Sequence, residues 1–242
     1  MVARVDQATD PTVISDLAVV RAGTAYFRRV LNNLTDEEMA APTALDGWTR
    51  KHLIAHVGYN ARALARLAMW AATGEETPMY PSPQARGEEI EFGATLGAEA
   101  LRNLCDHSAI DLDVRWRDLV ADRWSAEVVT AQGRTVPVSE TVWMRTREVW
   151  LHALDLNAGG RIEEVPNPVL ERLLGDVVRT WQARDQLDGL AIAVDSGMTL
   201  GNLEGDRSVH GDLHAMVRWA TGRGGGDALT WTGRRTPAPR WI

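Results

Sequence analysis

Amphipathic helical periodicity fills most of the first 160 residues of this chain and stops at a stretch rich in glycine and proline. Apolar residues recur there with the spacing of helices that bury one face. The stretch that ends the pattern, residues 157–168, reads NAGGRIEEVPNP and is interpreted as a linker. Short strand-like apolar runs and helical segments follow it. The sequence therefore predicts an α+β fold, with an N-terminal bundle of four main helices over residues 1–160 and a small C-terminal α+β domain over residues 161–242.

Capping signals place the helices of the predicted bundle. The main helices are expected to begin after Asp10, after Thr49, near residue 96 and after Ser139. Thr35 and Glu38 have the spacing of a capping box and predict an additional short helix. Residues 75–89, EETPMYPSPQARGEE, contain three prolines and are predicted to be a loop. A short hairpin is expected around Gly133.

The second domain has weaker but readable signals. Helices are predicted over residues 168–184 and after Asp212, and strands over residues 190–194, near 207–211 and over 228–233.

Charge and cysteine content exclude several classes of partner. The 242 residues carry a formal net charge of −7, and the basic residues are dispersed, so neither nucleic acid nor an anionic membrane is expected as a partner.

Cys105 is the single cysteine and lies in a helical pattern, where a small buried residue is expected. The start of the chain lacks the apolar core of a signal peptide, and no run of about 18 apolar residues occurs. We therefore expect a cytoplasmic protein, and no feature demands an oligomer, so a monomer is the default.

Glu148 and His152 are the most informative polar residues of the bundle. They are four positions apart in MRTREVWLHALDL, so a helix would present both side chains on one face, among apolar neighbours. One interpretation is a helical ion pair, and the other is two ligands of a metal ion whose third ligand comes from a facing helix. His56, flanked by apolar residues on the second main helix, is the preferred third ligand. His52 is the alternative, but it falls in the polar first turn of that helix.

The remaining histidines do not form a second candidate site. His210 and His214 flank the predicted cap Asp212 and do not share a helical turn, so both are expected to be structural or at the surface. His107 is expected to face solvent.

Several segments together resemble the mycothiol-dependent maleylpyruvate isomerase family. They are DGWTRKHLIAHVGYN, GEETPMY, TAQGRTVPVSETVWMRTREVWLHALDL and the terminal WATGRG and PRWI, and the similarity extends over nearly the whole chain. The resemblance implies an N-terminal DinB-like four-helix bundle that holds divalent zinc through His56, Glu148 and His152. It also implies a functional arginine in the C-terminal domain, which matches Arg223, with Arg218 as the alternative.

The implied reaction is the mycothiol-dependent isomerisation of 3-maleylpyruvate to 3-fumarylpyruvate in gentisate catabolism. Such a reaction needs a nucleophile that adds to the double bond, permits rotation and leaves, and mycothiol would supply it. Zinc would hold the thiol as thiolate or polarise the keto oxygen of the substrate, and thiolate activation is favoured. Arg223 would pair with a carboxylate or with the enolate formed on addition. Tyr80 and Arg86, in the proline-rich loop, are further candidates for the wall of the pocket.

Two other functions remain open from the sequence. One is a mycothiol S-transferase that acts on a different electrophile at the same metal site. The other is a metal-stabilised binding module without turnover.

Overall fold

The computed structural model describes residues 5–241 and divides the chain into two compact units, residues 1–160 and 161–242. The first unit contains α1 (Pro11–Asn32), α2 (Arg50–Thr73), α3 (Ala85–Ala94), α4 (Ala98–Arg117) and α5 (Glu140–Asp155), with the hairpin strands β1 (Glu127–Val129) and β2 (Thr135–Pro137). The long helices α1, α2, α4 and α5 pack on one another around an apolar core. None of the helices in the described residues combines the length and apolar character that a bilayer span requires.

Glycines allow the helices of the first unit to approach closely. A Cβ atom on Gly58 of α2 would lie 2.7 Å from Leu104 Cγ of α4, and one on Gly23 of α1 would lie 2.6 Å from Trp150 Nε1 of α5. A side chain at either position would push these helices apart, because core atoms have little room to give way. The two contacts help to fix α2 and α5, the helices that carry the candidate metal ligands.

The helix starts follow the capping signals in most places. Asp10 accepts a hydrogen bond from the Thr12 backbone N–H before α1, and Thr35 and Glu38 form the predicted reciprocal bonds. These bonds hold the start of a short 3₁₀ helix, Glu37–Ala40, which contains Glu38. Ser139 occupies the N-cap position of α5 but makes no capping bond through its side chain.

The predicted loop over residues 75–89 is wrong at its C-terminal end. Helix α3 begins at Ala85, inside that segment, and packs on α2. Its amphipathic signal is weak because only Ala85, Ile90 and Gly93 are buried. Contact with α2, rather than a strong apolar stripe, accounts for this helix.

The second unit is a small α+β structure. It contains α6 (Asn167–Ala183), β3 (Leu190–Val194), β4 (Thr199–Gly201), β5 (Arg207–Gly211), α7 (Leu213–Ala220) and β6 (Thr230–Thr232). The strand order is β4-β3-β5-β6, in which β3 and β5 are parallel and the outer pairs are antiparallel. Strand β4 was not predicted, because its three residues, Thr199–Gly201, are too few to form a periodic pattern. Asp212 caps α7 as expected, and the α+β fold class is confirmed.

Candidate metal centre

Helix α5 presents Glu148 and His152 on the same face, one turn apart. His152 Nε2 lies 3.2 Å from Glu148 Oε2, and the exposed fractions of the two side chains are 13% and 26%. Because side chains four residues apart on a helix point in the same direction, this proximity follows from the local backbone alone.

Helix α2 supplies the third group. His56 is buried, and its Nε2 atom lies 2.7 Å from the same Glu148 oxygen, Oε2. The rings of His56 and His152 are nearly perpendicular, with centroids 5.1 Å apart. Trp48, just before α2, packs against the His56 ring at a centroid distance of 5.4 Å. Two imidazoles and one carboxylate thus converge from two helices.

The electrostatics of this cluster favour an ionised carboxylate. Burial opposes ionisation of Glu148, but the two histidines hold its pKa well below the usual range. Burial lowers the pKa of His56, which outweighs the opposing effect of Glu148. Burial also opposes the charged form of His152, yet hydrogen bonds to Asp155 and Glu148 raise its pKa. The cluster therefore places an ionised carboxylate oxygen between two imidazole nitrogens.

These three residues fit a divalent transition metal. One ligand atom from each of them lies within 4.8 Å of the others. Two histidines and one carboxylate that leave a coordination position open form a ligand set of catalytic zinc sites. The alternative interpretation, an isolated helical ion pair, does not account for the buried His56 ring on the same carboxylate oxygen.

The structure places His52 elsewhere. The Thr49 backbone N–H donates to His52 Nδ1 at 3.3 Å, and the Thr49 hydroxyl lies 2.7 Å from the same nitrogen. This is a capping box in which a histidine takes the usual place of glutamate or glutamine. His52 Nε2 lies 3.6 Å from Glu91 of α3. His52 therefore stabilises the start of α2 and is not part of the three-residue cluster.

Two arginines near Glu148 have different surroundings. Arg145 is buried, and its Nη1 atom donates to the Val57 carbonyl at 2.7 Å and to Asn60 Oδ1 at 2.9 Å. Since Val57 follows His56, this side chain ties α5 to α2 beside the cluster. Burial lowers the pKa of Arg145 to about 10. Arg147 is half-buried.

Tyr80 and Arg86, the other candidates in the first unit, lie within electrostatic reach of the cluster. Burial raises the pKa of Tyr80 to about 12, while the positive charge of Arg86 lowers it and the negative charge of Glu148 raises it. The charge of Arg86 also lowers the pKa of His56. Tyr80 is half-buried and Arg86 is exposed.

Asp155 is a polar residue beside the cluster that was not among the predicted site residues. Its carboxylate is 1% exposed, and Oδ2 lies 2.9 Å from His152 Nδ1. The available signal was an aspartate three residues after a candidate ligand histidine, a spacing that a helix brings onto one face.

Cys105 is buried on α4, as predicted. Its thiol donates to the Ile54 carbonyl at 3.2 Å, and burial raises its pKa to about 12. A thiol held in this way is not a nucleophile near neutral pH.

The candidate arginines of the second unit lie at the end of α7. The Arg223 backbone N–H donates to the Arg218 carbonyl at 2.7 Å, and Arg223 Nη1 donates to the Thr221 carbonyl at 3.0 Å. Arg223 is half-buried, whereas Arg218 is exposed and donates through Nε to the Arg223 carbonyl at 3.3 Å.

The other histidines have partners of their own or face solvent. His210 is exposed and pairs with Asp195 at 3.1 Å, while His214 Nδ1 lies 3.6 Å from Asp212. His107 is exposed, as expected.

Comparison with known proteins identifies the family. Residues 20–157 match the family model described as the mycothiol maleylpyruvate isomerase N-terminal domain. Two solved structures are similar over 95% of this chain and 97% of theirs, each with a TM-score of 0.90. One is a crystal structure of a mycothiol-dependent maleylpyruvate isomerase, at 46% identity, and the other is a histidine-to-alanine mutant of such an enzyme, at 45%. A search of curated protein sequences gives no match. The family model and the two full-length similarities show that this chain belongs to the mycothiol-dependent maleylpyruvate isomerase family of enzymes.

Proposed function

We propose that this chain catalyses the mycothiol-dependent cis–trans isomerisation of 3-maleylpyruvate to 3-fumarylpyruvate, a step of gentisate catabolism, at a zinc site. The observation that carries the proposal is the convergence of His56, Glu148 and His152 on one point. It occurs in a chain that is similar over 95% of its length to mycothiol-dependent maleylpyruvate isomerase structures.

We assign metal binding to a DinB-like domain over residues 1–160, in which His56 and His152 would coordinate the ion through Nε2 and Glu148 through a carboxylate oxygen. When bound, the ion would hold a thiol sulfur as thiolate near neutral pH or polarise the keto oxygen of the substrate, and we favour the first role. The half-buried, ionised Glu148 supplies the negative charge that offsets the cation. The low exposure of His56 keeps water away from one side of the site.

Isomerisation requires a nucleophile that adds to the conjugated double bond, permits rotation about the resulting single bond and then leaves. Cys105 does not meet this requirement because its thiol is buried, donates a hydrogen bond to the Ile54 carbonyl and is protonated near neutral pH. The nucleophile can instead be the thiol of a cosubstrate, which supports mycothiol as the nucleophile.

We propose Tyr80 and Arg86 as groups that contact substrate or mycothiol beside the metal. With a pKa of about 12, Tyr80 keeps its proton near neutral pH and can donate a hydrogen bond through its hydroxyl. Arg86 is exposed, and its charge acts on both Tyr80 and His56, so it can attract an anionic substrate.

We further propose that Arg223, in the α+β domain over residues 161–242, pairs with a substrate carboxylate or with the enolate formed on addition. A guanidinium forms strong charge-assisted hydrogen bonds to such oxygens. Arg218 is the alternative. The monomeric state and the cytoplasmic location remain predictions.

The test is an absorbance assay of maleylpyruvate turnover by zinc-loaded protein, with and without mycothiol. We expect turnover only with mycothiol, and Cys105→Ala should keep the mycothiol-dependent rate. Turnover without any thiol would contradict the mechanism. Mycothiol consumption with another electrophile, but not with maleylpyruvate, would favour the S-transferase, and zinc binding without turnover of any electrophile would favour the binding module.

A further inference from the structure

Asp155 lies where an ionised carboxylate is energetically unfavourable. It is the last residue of α5, and its side chain is 1% exposed. The C-terminal end of a helix is the negative end of its dipole, and a buried carboxylate loses its hydration. Both effects disfavour an ionised aspartate unless a hydrogen-bond donor compensates, and His152 Nδ1 lies 2.9 Å from Asp155 Oδ2.

The His152 ring is held along α5 at both of its nitrogens. Nδ1 faces Asp155 at 2.9 Å, and Nε2 faces Glu148 at 3.2 Å. Rotating the ring by half a turn about its Cβ–Cγ axis would replace Nδ1 by a carbon and lose the bond to Asp155. The same rotation would replace Nε2 by a carbon at the point where the three candidate ligands meet. Asp155 therefore disfavours the ring orientation that cannot bind a metal there.

The backbone around Asp155 is also anchored. The Asp155 carbonyl accepts a hydrogen bond from the Ala44 N–H at 3.0 Å. Arg50, the first residue of α2, donates through Nε to the Leu156 carbonyl at 2.8 Å and through Nη2 to the Asn157 carbonyl at 2.6 Å. These bonds join the end of α5 to the start of the helix that carries His56. These backbone hydrogen bonds thus hold the Asp155 carboxylate in place beside His152.

We propose that Asp155 is a positioning residue that fixes the orientation and the tautomer of His152, so that the ring keeps its proton on Nδ1 and presents Nε2 to the metal. A carboxylate that accepts the second N–H of a metal-bound histidine both orients the ring and makes it a better donor. The inference rests on the proposed metal site at His56, Glu148 and His152.

The experiment measures zinc affinity by competition with a chromophoric chelator in the wild type, in Asp155→Ala and in a matched control. Thr141→Ala is the control because Thr141 is also buried on α5 and accepts a hydrogen bond from Trp116 Nε1 at 3.0 Å. Both variants should lose thermal stability. We expect zinc affinity to fall about 10- to 100-fold in Asp155→Ala and to stay within about twofold of the wild type in Thr141→Ala. The visible spectrum of the Co²⁺-loaded protein should change only in Asp155→Ala.

The outcomes separate this inference from the proposed metal site. Wild-type protein that binds no zinc would refute the metal site itself. Zinc affinity and a Co²⁺ spectrum that are unchanged in Asp155→Ala would overturn only the role of Asp155. If that variant does not fold, long-range ¹H–¹⁵N NMR of zinc-loaded wild type decides the question. We expect the proton of His152 on Nδ1, and its absence there would overturn the inference.

Discussion

Replacing His52 should weaken the start of α2 and leave zinc binding intact, whereas replacing His56 should abolish zinc binding. His56 points its Nε2 at Glu148, whereas His52 accepts the Thr49 backbone N–H in a capping box. His52→Ala removes a capping interaction worth about 1 kcal/mol. For a domain of roughly 150–250 residues, this lowers the melting temperature by about 2–4 °C.

Bound zinc adds a second contribution to the stability of the folded protein, and this contribution depends on His56 rather than on His52. Zinc at about 100 times its dissociation constant stabilises the folded protein by about 2.7 kcal/mol, provided that the unfolded chain does not bind it. At about 2–4 °C per kcal/mol, this corresponds to a rise of about 5–11 °C in melting temperature. His52→Ala should retain this rise, and His56→Ala should lose it.

The assay is thermal unfolding followed by circular dichroism, with each variant measured with and without zinc. Comparing a variant with itself removes the cost of the substitution to the metal-free protein. The reasoning would be refuted if His52→Ala lost the zinc-dependent rise while His56→Ala kept it.

Two further predictions concern turnover and pH. Arg223→Ala should lower maleylpyruvate turnover at unchanged zinc content, with Arg218→Ala as the matched control. A normal rate in Arg223→Ala with a reduced rate in Arg218→Ala would move the role to Arg218. Burial opposes protonation of His152, but hydrogen bonds to Asp155 and Glu148 raise its pKa above 6.5. Its protonated form therefore contributes stability to the metal-free protein that is fully present below about pH 6.5 and lost as the pH rises through the folded-state pKa. Because that proton competes with a metal, zinc affinity measured by chelator competition from about pH 6 to about 8.5 should rise with pH, and an affinity that does not vary would contradict this reasoning.

Helix starts were predictable because their signals are local. The cap of α1 at Asp10 and the cap of α7 at Asp212 depend on side chains within a few residues of the bonded N–H groups. The limits of prediction are seen at α3 and β4. Each is short, and each depends on contacts with a neighbouring element, α2 or β3, which a local pattern does not contain.

The sequence by itself determined that Glu148 and His152 share a face, because their spacing matches one helical turn. It also determined that Cys105 is the only thiol of the chain. The sequence favoured His56 over His52 because His56 is flanked by apolar residues. Only the tertiary structure decided which of the two histidines meets Glu148, since they lie one turn apart on the same helix, α2. The packing of α2 against α5 brings His56 to the carboxylate and leaves His52 to cap its own helix. Tertiary structure likewise placed Asp155 behind His152, because burial at the end of α5 turns an ordinary helical spacing into a fixed hydrogen bond.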